Sequence, residues 1–120
     1  MRGLGELEAA VMDVLWSSDE AMSVRSVQEV LLNRRTLAYT TVMTVLDNLH
    51  RKGYVERTKQ GRGFQYRPGV SRGEAAANAI RQILDETADT ETALLLLARS
   101  ASESESEALR RGLDRRRKHR

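Results

Sequence analysis

No cysteine occurs in this chain, so disulfides, thiolate-held metals and cysteine nucleophiles are excluded together. Aromatic residues number only five (Trp16, Tyr39, Tyr54, Phe64 and Tyr66), and all five precede residue 67. The two halves must therefore build their cores from different material. No apolar run approaches the roughly 18 residues of a membrane-crossing helix; the longest, Ala93 to Ala98, has six. The opening residues, Met1-Arg-Gly-Leu-Gly-Glu6, lack the apolar core of a signal peptide. These absences lead to the expectation of a cytoplasmic protein with no membrane insertion.

Catalytic groupings are equally scarce. The two histidines, His50 and His119, fall at a helix end and in a charged tail. Glu103, Glu105 and Glu107 alternate, which disperses them around a helix instead of gathering them for metal or acid–base work. Arg62 stands between two glycines, but no Gly-Lys-Ser/Thr follows, so this is no phosphate-binding loop. The expectation is a protein that is not an enzyme and holds no metal or cofactor.

What is present is uneven charge. Over Arg51 to Arg67, six basic residues (51, 52, 57, 59, 62 and 67) face one acid, Glu56, a net of +5. Glu74 to Glu107 holds eight acids against Arg81 and Arg99, a net of −6. Arg110 to Arg120 returns to +6, with seven basic residues against Asp114. A basic centre followed by an acidic segment suggests that one half meets a polyanion and the other does not. At 120 residues the chain suits one domain, or one small domain with an oligomerisation segment.

Periodicity supplies the elements. Leu7, Ala10, Val11, Val14 and Leu15 give the 3.6-residue period of a first helix over 5–16. Met22 to Val24 suits a short extended piece, and Ser23 can cap a second helix, Val24 to Asn33. Thr36 can cap a third, Tyr39 to Arg51, whose Val42, Val45, Leu46 and Leu49 form one apolar stripe. Gly53 suits the left-handed residue that follows a helix. Residues 54–58 and 64–67 then alternate as strands around a glycine-containing tip, with Pro68 ending the run. Three short helices and a basic hairpin form a winged helix-turn-helix. The fold class is mostly α with a small β-wing.

The second half reads as helices only. Ser71-Arg-Gly-Glu74 matches a capping box for a helix to about Glu86, with Ile80, Ile83 and Leu84 on its apolar side. A further helix, Asp89 to Arg99, carries Leu94, Leu95, Leu96 and Leu97, which should be buried on more than one side. Residues 100–107 form either a linker or the first turns of another helix. Helices without aromatics cannot bury a large core alone, and pairing with a second copy is the natural remedy. The expected division is a winged-helix DNA-binding domain over 1–70 and a helical dimerisation region over 71–120, ending in a basic tail that either is disordered or adds non-specific affinity.

The face of the third helix opposite its stripe carries Thr40, Thr44, Asp47 and Arg51, with Thr41, Met43 and Asn48 on its flanks. Short hydroxyls on the first turns suit the major groove, where base edges are read at close range. Thr40, Thr41 and Thr44 are thus expected at bases or phosphates. Met43 either touches a thymine methyl or packs; Tyr39 either bonds a phosphate or packs. Arg51 and Lys52, with Arg57, Lys59, Arg62 and Arg67 on the wing, are expected at phosphates. Two rivals stand beside a sequence-specific repressor: a winged helix used as a protein–protein module, and a non-specific nucleoid protein.

The stretches Leu4-Gly-Glu-Leu-Glu-Ala-Ala-Val-Met-Asp-Val-Leu-Trp16, Val24-Arg-Ser-Val-Gln-Glu-Val-Leu31 and Ala38-Tyr-Thr-Thr-Val-Met-Thr-Val-Leu-Asp-Asn-Leu-His-Arg-Lys-Gly-Tyr54 resemble the penicillinase and methicillin-resistance repressors, the BlaI/MecI/CopY type. The resemblance covers most of residues 4–70. It implies a homodimer joined by its C-terminal helices, binding palindromic operators ahead of resistance genes. It also implies release by proteolysis, triggered by a membrane-bound β-lactam sensor. Three departures accompany it. The family's Asn-Phe cleavage pair has no counterpart, because the C-terminal half has no Phe and only Asn78. The cysteine cluster of copper-responsive members is missing. Position 48 is Asn where members often carry Arg.

Overall fold

The computed structural model describes residues 3–118, in two compact units, one ending at Ile83 and the other beginning at Leu84. His119 and the end of the basic tail lie outside the described residues. In the first unit, α1 (Glu6–Trp16), α2 (Val24–Leu31) and α3 (Tyr39–Arg51) are followed by an antiparallel hairpin, β1 (Val55–Gln60) and β2 (Gly63–Pro68), and then by most of α4 (Arg72–Glu86), whose last three residues fall in the second unit. This is the expected winged helix-turn-helix.

One core unites these elements. Val42, Val45, Leu46 and Leu49 of α3 are all buried, against Val11, Met12 and Leu15 of α1 and Val27 and Leu31 of α2. Tyr66 brings the wing into the same core at 1% exposure, and Val55 does so at 3%. Tyr66 also exchanges both backbone hydrogen bonds with Met22, each 2.8 Å, which is the extended piece expected before α2.

The helix ends explain the boundaries. Ser23 Oγ accepts the Ser26 amide at 3.1 Å, as an N-cap should. Thr36 does not cap α3, contrary to expectation. The helix begins at Tyr39, with Ala38 as N-cap and no side-chain cap bond. Its entry is instead fixed by Leu37, which packs on the core while its carbonyl accepts a 3.0 Å bond from Gln28 Nε2. Leu37 and Val42 occupy the two positions of a hydrophobic staple. At the other end Gly53, at φ 83°, donates to the His50 carbonyl at 3.1 Å, and Tyr54 donates to the Leu49 carbonyl at 2.9 Å. These two bonds form a Schellman motif and stop α3 before the wing.

The strands run further than alternation suggested, pairing from Val55 with Pro68 to Gln60 with Gly63. Gly61, at φ 63°, takes the first of the two tip positions, where a type II′ hairpin requires glycine. The α4 capping box is present, with Glu74 Oε1 accepting from the Ser71 amide at 3.1 Å and Ser71 Oγ from the Glu74 amide at 3.0 Å. Ala75 and Ala79 are its buried residues; Ile80 and Ile83 stay half exposed.

The second unit holds α5 (Thr90–Ser100) and α6 (Glu103–Lys118). Residues 100–107 are thus mostly helix. Ser102 and Glu105 form a reciprocal capping box at 2.8 and 3.1 Å, so the serine–glutamate run starts α6. Arg115 to Lys118 form the last turn of that helix. The expectation that Leu94, Leu95, Leu96 and Leu97 are buried fails for the single chain: they are 45%, 58%, 56% and 53% exposed. No residue of α5 or α6 is buried, since two helices without aromatics enclose nothing between them.

Candidate nucleic-acid interface

The outward face of α3 is open. Tyr39 and Met43 are 45% and 41% exposed, Thr40 and Thr44 are exposed, and Thr41 is half-buried. Thr44 Oγ1 donates to the Thr40 carbonyl at 2.9 Å. Its proton is therefore used within the helix, and its lone pairs remain for a donor such as the amino group of adenine or cytosine. Arg51 donates to the Asn48 side-chain oxygen, so the asparagine at position 48 orients a cation at the helix end.

The cations divide into engaged and open. Lys52 Nζ sits 2.7 Å from Glu8 Oε1 and 3.3 Å from the Gly3 carbonyl, tying the end of α3 to the start of α1. Arg57 Nη1 meets Asp47 Oδ1 at 2.7 Å, and its guanidinium lies 4.3 Å from the Phe64 ring centroid. Arg67 pairs with Glu56 at 3.3 Å. Lys59 and Arg62 are exposed on the wing and form no ion pair among the described residues. The structure thus brings Thr40, Thr44, Lys59 and Arg62 to open positions and turns Lys52 back toward α1.

Burial alone would raise the Glu8 carboxyl. The Lys52 hydrogen bond, the Gly5 amide and the Lys52 charge outweigh it, and its pKa lies below the ordinary glutamate value. A depressed carboxyl pKa contributes stability that is present above the ordinary value and lost as pH falls through the lowered one. Glu8→Gln is expected to cost about 1 kcal/mol or more near neutrality, because a charge-assisted bond is replaced by a weaker one. Thermal unfolding from pH 7 to pH 3 should bring the two proteins together in acid; parallel curves would show that the pair does not contribute.

An open groove of about 600 Å³ separates α3 from the wing, lined among others by Arg25, Tyr39, Met43, Arg57, Arg62 and Phe64. Arg25 was missed from the sequence. It is exposed in the first turn of α2, where the helix dipole disfavours a cation. A basic residue placed against the dipole was the available signal.

A winged helix of this kind has known counterparts. The model of the penicillinase repressor family matches residues 4–115. The chain belongs to the penicillinase repressor family. It is 42% identical over 113 residues to the transcriptional regulator BlaI of Mycobacterium tuberculosis, covering 92% of this chain and 82% of that protein. The solution structure of the DNA binding domain of the repressor BlaI superposes with a TM-score of 0.54 at 27% identity, over 62% of this chain and 93% of the other. RosR of H. salinarum shares the fold at 20% identity and a TM-score of 0.53, over 81% of this chain and 92% of the other. The chain is a DNA-binding transcriptional regulator of the winged-helix type, and the regulators of this family are not enzymes. Among the described residues no helix is long and apolar enough to cross a membrane.

Proposed function

We propose that the chain is a cytoplasmic homodimeric repressor that reads a palindromic operator ahead of β-lactam-resistance or related genes. Residues 1–70 bind DNA and residues 71–120 dimerise. Each subunit lays α3 in the major groove of one half-site, with Thr40, Thr41 and Thr44 toward the bases and Met43 beside a thymine methyl. Arg51, Lys59, Arg62 and Arg25 meet phosphates, and Tyr39, exposed at the first residue of α3, bonds a phosphate. Lys52 adds long-range attraction rather than a direct contact, because its ammonium is held by Glu8 and the Gly3 carbonyl.

The observation that carries this reading is the open α3 face flanked by exposed cations from two other elements, Lys59 and Arg62 on the wing and Arg25 on α2, none of which forms an ion pair among the described residues. Non-specific binding would need the cations and not the hydroxyl-lined face between them. Partner choice among proteins would not need both.

The test is a gel-shift against the chain's own upstream DNA, titrated with salt, with scrambled DNA as competitor. A complex that prefers the upstream DNA and weakens steeply with salt supports the proposal. Intact protein that forms no complex at low salt sinks it, and equal binding to scrambled DNA favours the nucleoid reading. Arg62→Ala should weaken binding to every sequence and flatten the logarithmic salt slope by about 1 per subunit; an unchanged slope would show that the wing does not touch the backbone. A membrane-bound β-lactam sensor protease is the upstream partner that the family resemblance implies. Residues 71–120 offer it no Asn-Phe pair, so cleavage would need a different bond.

A further inference from the structure

Arg57 lies in the middle of the basic hairpin, yet its guanidinium is already engaged by other side chains. One side of its guanidinium is bonded to Asp47 of α3 at 2.7 Å, and its Cζ lies over the ring of Phe64 on β2, 4.3 Å from the centroid. Phe64 in turn meets Tyr66 edge-on, with centroids 6.2 Å apart and planes at 61°. Tyr66 is paired with Arg57 across the hairpin and is 1% exposed. An unbroken chain of contacts thus runs from α3 through both strands of the wing into the core.

Two facts make this chain more than decoration. Asp47 is an acid on the α3 face that also bears Thr40 and Thr44, and its side chain is 57% exposed. A carboxylate there repels phosphate unless a cation covers it. Second, a two-stranded hairpin is marginal by itself and takes its angle from whatever it leans on. From Arg57 to the tip is four or five residues, a lever of about 15 Å at roughly 3.3 Å each. A 10° swing at its base would displace the tip by about 2–3 Å, enough to break a hydrogen bond to a phosphate.

We propose that Arg57 and Asp47 are positioning residues: their ion pair, stacked on Phe64, locks the wing's angle to α3 so that Lys59 and Arg62 meet the backbone at a fixed offset from the bases beneath Thr40 and Thr44. This rests on the repressor reading. The pair's role is geometric, since exposed ion pairs add little to stability.

Asp47→Asn separates this role from simple charge. The variant loses one negative charge per subunit and no cation. Removal of a repulsive acid would tighten binding to all DNA and leave the salt slope at least as steep. Release of the clamp predicts the reverse for the operator. Its affinity should fall about tenfold or more and its logarithmic salt slope flatten by roughly 2 per subunit, as Lys59 and Arg62 disengage. Scrambled DNA should bind as well as before or better. Arg57→Lys keeps the charge but not the flat stack on Phe64, and should also flatten the slope. Wild-type slope and operator preference in both variants, or tighter operator binding by Asp47→Asn, would overturn the clamp. If the unaltered protein forms no salt-sensitive operator complex, the repressor reading itself falls and takes the clamp with it.

Discussion

Exchanging Leu94 and Leu97 for aspartate should leave a folded winged helix that has become monomeric and has lost about a hundredfold or more of its operator affinity. The two leucines are one turn apart on α5 and stand 45% and 53% exposed, with Leu95 and Leu96 no better covered. In α6, Leu109 and Leu113 are likewise 54% and 59% exposed. So many exposed leucines on two adjacent helices point to an interaction surface. Capping and helix propensity hold α5 and α6 in shape, and on the proposed reading a second copy covers them. Two carboxylates set into such a surface would have to be desolvated on pairing, which disfavours the dimer strongly. The winged helix keeps its own core, so secondary structure should change little. Each half-site would then be bound alone, without the gain from a tethered second site. Sedimentation would report the mass and a gel-shift the affinity. A variant that stays dimeric would place the interface elsewhere.

Tyr66→Ala should cost about 3–5 kcal/mol, a large share of the stability of a small domain. Its ring is the one fully buried aromatic among the described residues, filling the place where the wing enters the core. Its removal leaves a cavity and strips Phe64 of its edge-on neighbour. The backbone bonds to Met22 remain available, which should soften the loss without cancelling it. The thermal midpoint should drop by well over 10 °C, given about 4–8 °C per kcal/mol for a domain of this size. A loss under about 1 kcal/mol would mean that the wing collapses around the gap and that the core does not depend on it.

Local physics was legible in the sequence. The stripe of Val42, Val45, Leu46 and Leu49 follows one helical face, and all four are buried. Gly53 and the Ser71–Glu74 box announced helix ends because each makes bonds within a few residues. The wing was found but drawn too short. Lys59 and Gln60 are exposed, so their pairing comes from backbone bonds that leave no apolar alternation. Thr36 misled because a cap signal competes with the staple made by Leu37 and the bond from Gln28.

Long-range pairing was illegible. A charge count over 51–67 treats all six cations alike. In the fold, Lys52 finds Glu8 from 44 residues away, and Arg57 finds Asp47 and Phe64. Nothing in the spacing told Lys59 and Arg62 apart from these. The leucines of α5 mark a surface that calls for cover, and among the described residues of a single chain they stay about half exposed. Arg25 was overlooked because one basic residue on an amphipathic helix reads as a solvated face until the groove beside it is seen.

Hydroxyl-radical footprinting of the protein on its own upstream DNA tests the central claim most directly. Two subunits reading half-sites through α3 should protect two symmetric patches, with centres about 10 or 20 bp apart on one side of the duplex. Each patch should carry a flank from the wing that disappears in Arg62→Ala. A single patch, or even protection along the whole fragment, would contradict a dimer that reads its operator through two recognition helices.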